Sequence, residues 1–122
     1  MNKHIEVIYN ILPLLFTIEE GLIHVKQQIS ELRYEEALGL LQDSMLGIAS
    51  IEQSIAPMKE KVPMGNISLL TSELKNNIIN VLVNYEKGRQ EFIEGQIEVQ
   101  VLLSFMSWKE EIEKILKPYI LS

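Results

Sequence analysis

Apolar residues recur at steps of three and four along almost the whole chain, and no long stretch alternates strictly between apolar and polar positions. Steps of three and four return to one face of an α-helix, whereas a half-buried strand requires a period of two. The pattern therefore predicts an all-α protein. The chain of 122 residues has the size of one domain, which we expect to span residues 1–122.

The first two helices are predicted on either side of a tight turn at Arg33 and Tyr34. The first covers residues 3–32, and Pro13 should kink or split it, because proline lacks the amide hydrogen and clashes with the preceding turn. The second begins with two glutamates, which suit the positive end of a helix dipole. Pro57 marks its end.

A longer connection, residues 58–66, carries Pro and Gly and divides the chain into two halves. The third helix should begin near Asn66 or Ser68, since either side chain could cap it. Two glycines, Gly88 and Gly95, compete to end this helix. A faint internal correspondence between the two halves of the chain favours Gly95.

The fourth helix is predicted over residues 97–117, with Pro118 as its terminator. Four amphipathic helices joined by two short turns and one longer loop favour an antiparallel up-down-up-down four-helix bundle. A bent three-helix or five-segment arrangement is the alternative, if Pro13 or Gly88 breaks a helix outright.

The chain encodes more apolar residues than such a bundle needs. About three helical positions in seven face a core, so a bundle of this length needs about 45 apolar residues. The chain has more, because 47% of its 122 residues are apolar, which is about 57. The excess is concentrated in residues 5–18 and 99–108. We expect the first and fourth helices to share an outward apolar surface for self-association or for docking a partner. The candidate partner-binding residues are Ile11, Leu14, Phe16, Phe105, Met106 and Trp108.

Other interpretations of this excess remain open at the level of sequence. Single apolar side chains are commonly exposed on folded proteins, and a kinked first helix could pack on two neighbours.

The charge balance argues against several partners. The chain has 17 acidic and 11 basic residues, a net charge of −6, which opposes nucleic acid and anionic membranes. Glu6 interrupts the apolar stretch at the start, and no unbroken apolar run approaches the roughly 20 residues of a membrane span. We therefore predict a cytoplasmic protein that does not bind nucleic acid and does not insert into a membrane.

Few residues could carry metal or acid-base chemistry. Cysteine is absent, and Glu20 and His24 share one helical face without the further ligands of a di-iron bundle. We expect His24 to face solvent. No serine has a triad-compatible histidine and no glycine-rich phosphate loop is present, so we predict no cofactor, no metal and no enzymatic activity.

Paired glutamates offer the alternative of a metal-dependent hydrolase. The pairs Glu91 with Glu94 and Glu110 with Glu113 resemble the magnesium motifs of all-α nucleotide pyrophosphohydrolases, in which carboxylates from two helices hold the metal. Glu110 and Glu113 lie well down the predicted fourth helix, away from Glu94 at its start. We expect the two pairs to be solvated faces that do not converge.

Helix three carries an unusual row of asparagines. Asn76, Asn80 and Asn84 follow one another at four-residue steps, and Asn77 lies alongside. Because asparagine is a mediocre helix former, the row is either an ordinary solvated face or a polar seam that fixes register with a partner.

Two segments carry a family resemblance. The turn Tyr34-Glu35-Glu36-Ala37-Leu38 and the later Glu94-Gly95-Gln96 turn, which leads to Trp108-Lys109-Glu110, resemble small helical-bundle proteins of Gram-positive bacteria that form a domain of unknown function. In size and charge the chain is also similar to flagellar export chaperones. That similarity implies a chaperone-like module that holds a partner's helix, and the apolar excess favours a homodimer.

Overall fold

The computed structural model describes residues 3–120 and consists of four helices packed antiparallel. They are α1 (Lys3–Ser30), α2 (Tyr34–Ile55), α3 (Ile67–Glu86) and α4, which is continuous through three segments, Ile93–Gly95, Gln96–Val101 and Leu102–Leu116. Each helix packs on the next, and α4 returns to α1, which closes the bundle. The predicted all-α four-helix bundle is confirmed. Short 3₁₀ turns follow α2 (Ala56–Met58), precede α4 (Gln90–Phe92) and follow α4 (Lys117–Tyr119).

The core lies along one stripe of each helix. Its largest buried side chain is Trp108, which is packed beside Phe105 with ring centroids 5.8 Å apart. The Trp108 indole Nε1–H donates a hydrogen bond of 2.9 Å to Thr71 Oγ1, and that hydroxyl donates to the Ile67 carbonyl oxygen at 2.7 Å. The buried polar atoms of this contact are thereby satisfied.

Pro13 does not split the first helix. α1 is unbroken through Pro13, whose side chain is exposed, and the buried residues Ile11 and Leu15 continue the same stripe on either side. The proline removes one backbone donor on the solvent side, where water can take its place. The Pro13 carbonyl oxygen accepts a 3.3 Å hydrogen bond from the Thr17 hydroxyl. Packing of the apolar stripe outweighs the missing backbone bond.

The turn between α1 and α2 lies where the sequence predicts it. The Arg33 N–H donates to the Gln28 carbonyl oxygen and the Leu32 N–H to that of Ile29, both at 2.9 Å, which closes the end of α1. Leu32 adopts a φ of 62°, in the left-handed region that favours glycine. α2 then begins at Tyr34, and the Arg33 guanidinium pairs with the Glu36 carboxylate in its first turn.

The end of α3 differs from the prediction. The helix stops at Glu86, and Gly88, with a φ of 73°, makes the reversal that we had assigned to Gly95. The Arg89 N–H donates to the Asn84 carbonyl oxygen at 2.8 Å and completes a glycine-based helix end. Gly95 has a φ of −61° inside α4. The preference for Gly95 was wrong because it relied on a chance similarity between the halves and not on local turn geometry.

The start of α3 agrees with the prediction in position but not in detail. The helix begins at Ile67, directly after Asn66. The Asn66 side chain makes no capping hydrogen bond, and its backbone carbonyl accepts from the Leu70 N–H at 3.0 Å.

A wide turn interrupts α4. Residues 96–101 form a π-helix, and the buried residues Ile93, Ile97, Val101 and Phe105 follow one another at steps of four around it. In a regular α-helix each step of four overshoots a full turn by about 40°, so these side chains would drift away from the core. The wider π turn keeps them on one side of the helix.

Candidate interaction face

The six predicted partner-binding residues differ in exposure and fall into three groups. Ile11, Phe105 and Trp108 are at most 2% exposed and belong to the core, so they form no part of an exposed surface. Phe16 is 60% exposed, whereas Leu14 and Met106 are half-buried against the core. The apolar excess identified the right two helices. It did not identify which apolar residue of each turn faces inward, because both segments are apolar on more than one side.

Leu14 faces a different neighbour from Phe16. It lines a cleft between α1 and α2 with Gly21, Leu40 and Gly47. Leu14 therefore belongs to the α1–α2 contact and not to a surface shared with α4.

A straight row of exposed apolar side chains runs along the outside of α1. Tyr9, Phe16 and Ile23 follow one another at seven-residue steps and are 52%, 60% and 54% exposed. Seven residues are nearly two helical turns, so such a row drifts by only about 20° per step. The composition argument missed Tyr9 and Ile23. Their seven-residue spacing to Phe16 was the signal that could have found them.

A second apolar row runs along α4. Val99 and Leu103 are 63% and 61% exposed, and Met106 lies one turn beyond Leu103. The π segment contains Val99, and Leu103 lies just after it. This row is shorter than the one on α1.

Two ion pairs join α1 and α4 side by side next to these rows. Glu19 of α1 lies 3.7 Å from the Lys109 ammonium of α4, and the Lys26 ammonium lies 3.5 Å from the Glu98 carboxylate. Residues three or four apart are neighbours on a helix surface, which places Phe16 and Ile23 beside Glu19 and Met106 beside Lys109. We call the two rows together the α1–α4 face, defined by Tyr9, Phe16, Ile23, Val99, Leu103 and Met106.

The charges at the centre of this face are matched within the chain. The Lys109 ammonium also lies 3.2 Å from the Glu113 carboxylate, which in turn lies 3.3 Å from the Lys117 ammonium. Burial favours neutral Lys109, but the carboxylates of Glu113 and Glu19 outweigh it and raise the pKa of Lys109. Burial likewise opposes ionisation of Glu113, but Lys109 and Lys117 outweigh it and lower its pKa. An apolar surface could therefore approach without leaving an unpaired charge at this point.

The asparagine row of α3 lies next to one asparagine that joins two helices. Asn76 and Asn80 are exposed and Asn84 is half-buried. Asn77, beside the row, donates through Nδ2 to Ser104 Oγ at 3.1 Å and to the Gln100 carbonyl oxygen at 3.3 Å, which ties α3 to the π segment. The residue that joins two helices was thus next to the periodic row and not in it.

The glutamate pairs do not come together. About 19 residues of α4 separate Glu94 from Glu113, roughly 28 Å of helix, and Glu113 is held by lysines. Within residues 3–120, no three side chains of His, Cys, Asp or Glu lie close enough to hold a metal ion. Glu20 and His24 are both exposed on α1.

One helix of the part described, α1, is long and apolar enough to cross a membrane by length and composition alone. The sequence prediction considered unbroken apolar runs and did not detect this. A helix that supplies one wall of a bundle core has the same composition, and eight residues of α1 are buried in this bundle.

The described residues define an antiparallel four-helix bundle with an apolar outer face between its first and last helices. Within this class, the chain belongs to the family described as a domain of unknown function (DUF8042), whose family model matches residues 6–111. No curated protein and no solved structure matches the chain. The predicted membership of a domain family of unknown function is confirmed. The bacterial source and the similarity to flagellar export chaperones find no support in these comparisons.

Proposed function

We propose that this chain is a protein-interaction module without enzymatic activity, and that it self-associates through the α1–α4 face. The observation that carries the proposal is the straight apolar row on the outside of α1, where Tyr9, Phe16 and Ile23 are each more than half exposed. Large apolar side chains grouped on two adjacent helices mark a contact surface more often than scattered ones do.

The surroundings of the row also favour a protein contact. Seven-residue spacing is the repeat with which helices pack side by side at a shallow angle. The nearby carboxylates of Glu19 and Glu98 are each paired with a lysine of the neighbouring helix. A second helix can therefore cover the row without having to neutralise these charges.

Sedimentation equilibrium with a matched pair of variants tests the proposal. Phe16→Glu puts a carboxylate into the contact, and we expect it to weaken self-association by roughly tenfold or more. Leu46→Glu is the control, because Leu46 is 70% exposed on α2, away from the face. It should associate like the unchanged chain.

A chain that remains monomeric at every concentration would contradict self-association. If that monomer bound an amphipathic helical peptide in a manner abolished by Phe16→Glu, the face would instead serve a client helix, as in a chaperone-like module. Equal association of both variants would remove the face from the contact altogether.

A further inference from the structure

A cleft lies at the end of the bundle where three parts of the chain meet. The start of α1, the connection between α2 and α3, and the 3₁₀ turn after α4 form its walls, and its volume is about 190 Å³. The lining residues are His4, Ile5, Ile8, Lys61, Val62 and Tyr119. Since an apolar cavity of about 150 Å³ holds a benzene molecule, this cleft has room for one aromatic ring with a short polar substituent.

The floor of the cleft is apolar. Ile8 and Val62 belong to the core and are 1% and 4% exposed, and Ile5 is half-buried. Apolar walls favour a ligand with an apolar body, because binding removes hydrocarbon surface from water. The floor therefore suits a ring or a short hydrocarbon chain.

The polar groups of the cleft favour a negative charge on that ligand. In the part of the chain that the structure describes, the Lys61 ammonium forms no ion pair and the Tyr119 hydroxyl no hydrogen bond, so both are free to donate. No acidic side chain lines the cleft, although the chain carries a net charge of −6, and the neighbours Glu6 and Glu60 lie outside the lining. The start of α1 adds the positive end of a helix dipole.

We propose that this cleft binds a small carboxylic acid whose apolar body is about the size of one aromatic ring, with Lys61 and Tyr119 donating to the carboxylate. Hydrogen bonds to an ionised group are about twice as strong as neutral ones, so the charge selects the acid over uncharged compounds of the same shape. The cleft shares no residue with the α1–α4 face, and the inference is independent of the proposed self-association.

An NMR titration of the isotope-labelled chain with phenylacetate tests the proposal. Phenylacetamide is the matched control ligand, because it has the same shape and the same number of non-hydrogen atoms without the charge. We expect phenylacetate to shift the backbone amide signals of Ile5 and Val62 with a Kd of about 1 mM, a range that suits so small a ligand. Phenylacetamide should bind several-fold more weakly.

Two variants test the assigned donors. Lys61→Met should weaken phenylacetate binding by about tenfold and leave phenylacetamide binding unchanged, because it removes only the charge-assisted contact. Tyr119→Phe should weaken phenylacetate binding by a smaller factor. Lys87→Met is the control, since it makes the same change in net charge at an exposed position after α3, at the opposite end of the bundle.

The outcomes separate this inference from the proposed self-association. Equal binding of acid and amide, equal effects of Lys61→Met and Lys87→Met, or the absence of saturable shifts around the cleft would each overturn the inference. A monomeric chain that binds phenylacetate in the cleft would refute self-association alone, whereas a self-associating chain that does not bind it would refute the cleft alone.

Discussion

Trp108 is the largest buried side chain in the core of the bundle. Its indole is buried, and its N–H depends on one acceptor, Thr71 Oγ1. The sequence placed Trp108 in an apolar cluster and led us to assign it to the surface. The hydrogen bond to a threonine 37 residues away, across two helices, explains why it lies inside instead.

Replacing Thr71 by valine should lower the free energy of unfolding, although valine has nearly the same shape as threonine. The substitution leaves the buried Trp108 N–H without an acceptor, which costs about 1–3 kcal/mol. Urea unfolding followed by tryptophan fluorescence measures this difference. Thr17→Val is the matched control, because the Thr17 hydroxyl bonds to a carbonyl at the exposed surface. Equal losses in the two variants would show that the buried hydrogen bond contributes no special stability.

At the scale of the element, the π segment of α4 is the feature that sets the register of the helix. Near the end of this segment the Gln100 carbonyl oxygen accepts from Ser104 Oγ at 2.7 Å and from Asn77 Nδ2 at 3.3 Å. The Asn77 side chain of α3 thereby ties the end of the π segment to the neighbouring helix.

Deletion of Gln100 should convert the π segment to an α-helix and preserve the fold. Ile93, Ile97, Val101 and Phe105 would then follow one another at steps of four, three and four. This is the spacing of buried residues in a regular α-helix. We expect the same helical circular dichroism and equal or greater stability to urea. Deletion of Ser107 is the control, because it removes a residue from the regular α-helical part and rotates Trp108 out of register. If deleting Gln100 is as damaging as deleting Ser107, the π turn is required for packing.

The ion pairs of Lys109 and Glu113 give the bundle a specific pH dependence. The lowered pKa of Glu113 means that its contribution to stability is present above the unfolded pKa, about 4.3, and is lost as the pH falls through the folded value. The raised pKa of Lys109 means that its contribution is present below the unfolded value, about 10.4, and is lost as the pH rises through the folded one.

Lys109→Met should therefore lower stability near pH 7 and have little effect near pH 3. It keeps most of the aliphatic chain but leaves Glu19 and Glu113 without their shared cation, at a cost of up to about 1 kcal/mol. Urea unfolding at both pH values measures the difference. Lys114→Met is the control, since the Lys114 side chain is 80% exposed and should matter at neither pH. A loss that persists at pH 3 would show that Lys109 acts through packing alone.

At the scale of the whole molecule, net charge opposes the proposed dimer. Each copy carries a net charge of −6, so two copies repel each other over a distance of about 10 Å at 0.1 M salt. Apolar contact must overcome this repulsion.

Self-association should consequently strengthen as salt is raised from about 0.05 M to about 0.5 M, because screening removes the repulsion and leaves apolar burial unaffected. Sedimentation equilibrium at the two salt concentrations measures the change, and Phe16→Glu should associate more weakly than the unchanged chain at both. Association that weakens with salt would show that attraction between opposite charges holds the copies together.

Most of the fold was predictable because it depends on local signals. Helical periodicity gave four helices, and the turn at Arg33 and Tyr34 was placed correctly from the change of pattern and the acidic start of α2. The end of α3 was missed, although Gly88 carried an ordinary glycine signal for it. The π segment was missed as well, although its buried residues repeat at steps of four.

The candidate face was predictable only in part. Sequence located the apolar excess in the first and last helices and included Phe16 and Met106. It also included Ile11, Phe105 and Trp108, since a segment that is apolar on several sides does not reveal which side its neighbours cover.

By itself, therefore, the sequence determined the helical class, the number of helices and the apolar excess, because periodicity and composition act within one helix. The tertiary structure decided which apolar residues are inside, that Pro13 is tolerated and that α4 unwinds around residues 96–101. These outcomes depend on contacts between residues far apart in the chain, such as Trp108 with Thr71 and Lys109 with Glu19. The rotation of each helix about its own axis is fixed only when all four pack together.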